Sequence, residues 1–163
     1  AAHAAPGDIV IVSLHWGSNW GYDIPQKHVD FAHALIDAGH VDLIHGHSSH
    51  HVRPFEVYRD RLILYGCGDF INDYEGIGGH EPYPDNLTLM YFPALDAHTG
   101  ALRRLEMVPL RIRRLRLHGA TTSDVQLLHD LLEREGAPFG TRLKIRQGWL
   151  VLSDGVGETP AGP

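Results

Sequence analysis

Asp8-Ile9-Val10-Ile11-Val12-Ser13-Leu14-His15-Trp16-Gly17 and Val41-Asp42-Leu43-Ile44-His45-Gly46-His47-Ser48-Ser49-His50-His51 are the two stretches whose reading decides the fold. Each opens on a short, nearly continuous apolar run. That pattern predicts strands buried on both faces of a parallel sheet. Between them, Pro25 suits the first position of a helix. Val29, Ala32, Leu35 and Ile36 then recur at helical spacing, and Gly39 suits the C-terminal cap. Strand, helix and strand in this order predict a right-handed parallel βαβ unit. Ligands in open α/β sheets gather at the carboxyl ends of the strands, and here both ends carry histidine.

Downstream the pattern becomes antiparallel. Phe55–Tyr58 and Leu62–Tyr65 read as a hairpin around Arg59-Asp60. Gly66–Pro84 is a long glycine- and tyrosine-rich connection, a length that marks a functional or mobile loop. Leu87–Leu95 and Leu102–Val108 predict a second hairpin. Arg111–Leu117 continues as a strand whose apolar parity switches, which predicts a bulge near Arg113-Arg114. Ser123 with Gln126 reads as a capping box opening a helix over Val125–Leu132 that ends at Gly136. Leu143–Ile145 and Trp149–Leu152 make a last hairpin around Gln147-Gly148. Residues 1–153 read as one α/β domain, and the Gly/Pro-rich residues 154–163 as a disordered tail.

The bulk numbers narrow the class. A chain of 163 residues with 43% hydrophobic and 21% charged residues suits one globular domain. No apolar run is long enough for a membrane span. No signal peptide is recognisable, which favours the cytoplasm. Cys67 is the only cysteine, so an intrachain disulfide is excluded. A net charge of −6 argues against nucleic acid as a partner. Thirteen histidines is several times ordinary usage, and they are dispersed rather than gathered in a tag.

At this point the sequence resembles a known family. A strand ends His15-Trp16-Gly17, a helix ends Ala38-Gly39, and a strand leads into Gly46-His47-Ser48-Ser49-His50. A hairpin then runs to Leu64-Tyr65-Gly66-Cys67-Gly68-Asp69-Phe70-Ile71. This order is similar to the CapA-type poly-γ-glutamate capsule biosynthesis proteins, which share the calcineurin-like metallophosphoesterase fold. The resemblance runs from Asp8 to Leu117, roughly two thirds of the chain. It implies a mixed β-sandwich with flanking helices and a divalent-metal site at strand ends. It implies that His15 is a ligand and that His50 is the second histidine of the family's Gly-x-His-x-His turn. Ser48 stands where that motif's first histidine is usual, and His47 is the candidate substitute. Asp69 stands where the family commonly has Asn. Family members also carry a preceding half that supplies further ligands, so the chain is expected to be the C-terminal half of the fold. A homo-oligomer or a partner chain would then complete it.

The residues permit several chemistries. Imidazoles of His15, His47 and His50 suit Zn, Mn or Fe, with an open position for a water of lowered pKa. The reaction would be hydrolysis of a phosphoester or a related anionic, polyglutamate-linked small molecule or polymer. His51 would donate to a ligand from behind or act as general acid, and Asp69 or Asp73 would be a carboxylate reaching the site. The bland alternatives are polar loop histidines that bond one another and an Asx turn at Asp69. A non-catalytic module that binds metal or polymer is the competing class. A lesser alternative is a serine esterase using Ser48, since Gly46-His47-Ser48 follows a strand as a nucleophile elbow does. Arg103, Arg104, Arg111, Arg113, Arg114 and Arg116 make either a patch for an anion or the solvated face of an edge strand. Trp16, Trp20 and Tyr22 would pack a substrate or form the loop's own small core. Cys67 reads as a small buried hydrophobe.

Overall fold

The computed structural model describes residues 4–5, 7–72, 80 and 82–153. Asp73, most of the Gly66–Pro84 connection's middle and the tail 154–163 lie outside the described residues. Strand β1 (Ile11–His15) leads through helix α1 (Gln26–Asp37) to β2 (Leu43–His47), parallel to it and in register from Ile11↔Leu43 to His15↔His47. Pro25 sits at the N-cap with an extended ψ rather than inside the helix, because its ring suits φ −57° on either side of the boundary. Gly39, at φ 72°, closes the helix with its N–H on the Ile36 carbonyl. The hairpin β3 (Phe55–Tyr58) and β4 (Arg61–Leu64) completes a four-stranded sheet of order β1-β2-β4-β3.

The second sheet is antiparallel, with β5 (Leu87–Leu95), β6 (Leu102–Arg113), β9 (Trp149–Leu152) and β8 (Leu143–Arg146) in that order. Strand β7 (Arg116–Gly119) pairs with the far end of β6. The expected bulge near Arg113-Arg114 is instead a chain reversal. Arg114 and Leu115 form a two-residue turn with φ 53° and 57°, so the parity switch marks a new strand. Helix α2 (Thr122–Gly136) is also capped differently from expectation. Thr121, not Ser123, is the N-cap: its Oγ1 accepts the Asp124 N–H, and Asp124 Oδ2 accepts the Thr121 N–H. Asp124 answers the cap because its short side chain reaches back while Arg111 holds its charge.

Two cores result. Leu43, Phe55, Leu62 and Leu64 meet Leu87, Leu89, Leu105 and Met107 of the other sheet and Val125, Leu128, Leu131 and Leu132 of α2. On the opposite face of the first sheet, Ile44, Ile63 and Tyr65 pack under Ala32 and Ile36 of α1. Burial of this apolar surface, at about 25 cal/mol per Å2, is the main stabilising term. The fold is therefore a mixed α/β sandwich, as expected, with one difference. Strand β1 is not buried on both faces: Ile11, Ser13 and His15 are exposed, because β1 stands at the edge of its sheet. Strand β5 is the edge of the other sheet, and Pro93 within it lacks the N–H that an interior strand would need. Between the two open edges lies a largely apolar groove of about 530 Å3, lined by Ile11, His45, His47, Met90, Tyr91 and Pro93 among others.

Candidate functional site

Parallel pairing brings the histidines of β1 and β2 together. His15 and His47 are direct register partners, and their rings meet edge to face with centroids 5.2 Å apart. His45, two residues back on the same face, lies 5.7 Å from His47 ring to ring. Its Nδ1 is 3.0 Å from Ser13 Oγ. Burial first, and then His47, push the His45 pKa below the ordinary imidazole value. Gly46 between them permits the close approach of β4: a Cβ there would lie 2.5 Å from the Leu64 carbonyl oxygen and 2.7 Å from that of Tyr65. The Cys67 N–H bonds the Gly46 carbonyl, so this turn is tied to the next strand end.

After His47 the backbone is strained. Ser48 has φ 127°, a region that favours glycine. Such outliers persist where the surroundings over-determine them, and they cluster at functional sites. Beyond this turn, His50 engages partners other than His15 and His47. The His50 backbone N–H bonds the Asn19 carbonyl, and its Nδ1 lies 3.0 Å from Asp69 Oδ2. Asn72 donates to the same carboxylate oxygen at 3.1 Å. Asp69 thus fixes the ring of His50 and its tautomer, with Nδ1 as the donor, the arrangement that carboxylates adopt behind metal-binding histidines.

His51 is fully enclosed, with no exposed surface. Trp20 and Tyr83 stack on it, and Tyr22 meets its edge. Its Nδ1 must donate to the Val52 carbonyl, which leaves a lone pair on Nε2 with no partner among the described residues. Burial drives its pKa down to about 4. A neutral ring with its only N–H spent on the backbone has no proton to give at pH 7. The expected general-acid role therefore has no geometric basis in His51, and an interior packing role does.

The three expected nitrogen ligands are not assembled. Among the described residues, no group of three or more His, Cys, Asp or Glu side chains is arranged to hold a metal ion. His15 and His47 fit as two ligands of a site, and His50 with Asp69 as a separate oriented donor. The donor set among the described residues does not make a complete metal centre. Ser48 Oγ makes only a 3.4 Å contact with the Gly17 carbonyl, and no hydrogen bond joins it to a histidine among the described residues. The serine-esterase geometry is absent there.

The surrounding aromatics are mostly scaffold. Trp16 donates from Nε1 to the Tyr65 carbonyl and stacks between His28 and Tyr65. Trp20 stacks on His80 at 4.0 Å and packs on His50 and His51, forming a small core for the loop. Cys67 lies partly buried against the first core, where burial raises its thiol to about 12 and keeps it protonated. Among the described residues, the arginines of the basic run form ion pairs at Arg103 with Asp96, Arg104 with Glu106, and Arg111 with Asp124.

Two buried polar residues carry no sequence motif. Arg53, 3% exposed, reaches under the Gly17–Trp20 loop and donates to Ser18 Oγ at 3.0 Å. A Cβ on Gly17 would lie 2.8 Å from its Nη1, so glycine at 17 makes room for the guanidinium. Glu56 accepts from the Tyr65 hydroxyl at 2.7 Å and lies 2.9 Å from His33 Nε2 on α1. The only sequence signal for either was a charged residue inside an otherwise apolar stretch.

Comparison with known proteins places this geometry. The family described as "Bacterial capsule synthesis protein PGA_cap" matches residues 1–74, which include both histidine strand ends. A "probable polyglutamine synthesis accessory protein" of Mycobacterium tuberculosis strain H37Rv is 53% identical over 145 residues, 89% of this chain and 38% of that protein. The "PGA biosynthesis protein CapA" of Bacillus subtilis strain 168 is 41% identical over 66 residues, 40% of this chain and 17% of that protein. The "capsule biosynthesis protein CapA" of Bacillus anthracis is 36% identical over 66 residues, 40% of this chain and 16% of that protein. The chain thus spans well under half the length of these relatives. With the histidine strand ends, the sandwich and these matches in agreement, the chain is similar to a portion of the CapA-type bacterial capsule synthesis proteins.

Proposed function

We propose that this chain is a histidine-bearing module of an accessory protein for the synthesis of a polyglutamate-type capsule polymer, and that it is not a complete hydrolase by itself. The observation that carries this reading is the division of the histidines. His15 and His47 stand side by side at parallel strand ends, His50 is oriented by Asp69, and no third ligand joins the first pair among the described residues. The relatives' names supply the process, in which an anionic polymer is the natural ligand class.

Metal-dependent hydrolysis of a phosphoester or polyglutamate-linked substrate is the second reading. The Asp69–His50 pair favours it, since that arrangement raises ligand basicity. It requires ligands from the greater part of the relatives' length, beyond this chain. The open β1 and β5 edges support a further part of the protein, or a partner chain, as the source.

The test is to load the purified chain with Zn2+ or Mn2+, desalt it, measure retained metal, and assay a generic phosphoester with and without chelator. Retained metal well below one ion per chain and no chelator-sensitive turnover are expected. One ion per chain together with chelator-sensitive hydrolysis that His15→Ala abolishes would overturn the module reading in favour of the second.

A further inference from the structure

The hairpin joining β6 to β7 turns on Arg114 and Leu115, both in the left-handed region. Two-residue turns of this hand favour Asn and Gly, and a Cβ there is strained. Leu115 nevertheless occupies the tip and is 57% exposed. Arg113, Arg114 and Arg116 surround it, all exposed, and Arg113 faces Arg116 across the hairpin. Among the described residues, neither Arg113 nor Arg116 forms an ion pair, whereas Arg103, Arg104 and Arg111 each do. Below the tip, Phe70, Ile71, Ile112, Leu115 and Leu117 line an open cleft of about 290 Å3, and Ile71 is 77% exposed. Arg113 and Arg116 therefore flank a tip that projects Leu115, with Ile71 on the same cleft, on a chain whose net charge is −6.

We propose that this tip docks on an anionic lipid surface, with Leu115 and Ile71 entering the interfacial layer and Arg113 and Arg116 holding the headgroup phosphates. Charge complementarity selects an anionic partner, and guanidinium matches phosphate with paired N–H donors. The aliphatic prongs select a bilayer over a dissolved polyanion, because a polyanion offers no apolar phase to receive them. The strained turn agrees: Asn-Gly would fold it more comfortably but would project nothing apolar. Few cations and two aliphatic groups give weak, reversible attachment.

The test is cosedimentation of the 163-residue chain with vesicles of phosphatidylcholine alone or mixed with phosphatidylglycerol, over a range of salt. Binding is expected to the mixed vesicles only, and to weaken as salt rises. Arg113→Gln with Arg116→Gln is expected to lower binding about thirtyfold. Leu115→Asn, which suits the left-handed turn, is expected to lower binding several-fold while leaving the melting temperature equal or higher. Leu115→Gly repeats that test if the Asn variant loses its circular dichroism signal. Absence of binding to mixed vesicles would overturn the proposal. Leu115→Asn binding as well as the parent, with soluble polyglutamate displacing both, would overturn it too and assign the arginines to a dissolved polyanion.

Discussion

Ser48 and His51 show what single residues contribute at the strand ends. Strain of the Ser48 kind costs about 1–3 kcal/mol. Ser48→Gly is therefore expected to raise stability by about 1 kcal/mol, read as the midpoint of urea unfolding; a lower midpoint would mean that the Ser48 contact with Gly17 outweighs the strain. His51 makes a pH prediction. Its pKa is about 4 in the folded protein against 6.5 for a free imidazole. As pH falls, the unfolded chain takes up this proton first. The contribution of neutral His51 is thus whole above pH 6.5 and drains away as pH falls toward 4, by about 3 kcal/mol. Unfolding measured at both ends of that window should show the loss, and His51→Asn, which keeps a donor toward Val52, should flatten it. An equally steep dependence in the variant would assign the acid sensitivity to other groups.

At the scale of elements, helix α2 separates two readings of its own start. Thr121→Ala is expected to cost about 1 kcal/mol, because it strips the acceptor from the Asp124 N–H. Ser123→Ala is expected to cost much less, since its hydroxyl reaches only Thr121 Oγ1. Thermal melts of the two variants decide the matter, and equal losses would refute this assignment of the cap. The same element shows where sequence reading reaches its limit. The apolar stripe of Val125, Leu128, Leu131 and Leu132 was legible because burial forces a period, whereas the cap was misread because Thr121 and Ser123 are both good caps. The βαβ unit and all three expected hairpins were legible for the same reason. The Arg114-Leu115 turn was not, because neither residue carries a turn signal. At the site, the positions of His15 and His47 followed from parallel register. The pairing of His50 with Asp69 did not, because it joins residues far apart along the chain after the strained torsion at Ser48.

For the whole molecule, the decisive feature is the side on which both sheets stop. Ile11 is 58% exposed on β1, and Met90 and Phe92 are exposed on β5. Exposed strand edges flanking an apolar groove invite pairing. The isolated chain is expected to self-associate in sedimentation velocity as concentration rises, and Ile11→Lys with Met90→Lys to reverse this. A parent chain that stays monomeric across the accessible range would show that these edges need no cover. The β3 and β8 edges carry hydrogen bonds from side chains outside their sheets. Thr141 Oγ1 donates to the Phe55 carbonyl on β3 at 2.8 Å, and Glu133 and His129 of α2 engage the Leu143 backbone on β8. This asymmetry limits stoichiometry. A second copy that pairs through the open side about a two-fold axis, antiparallel at β1, would use up both of these edges at once. Association would then terminate at two copies rather than propagate into a fibre.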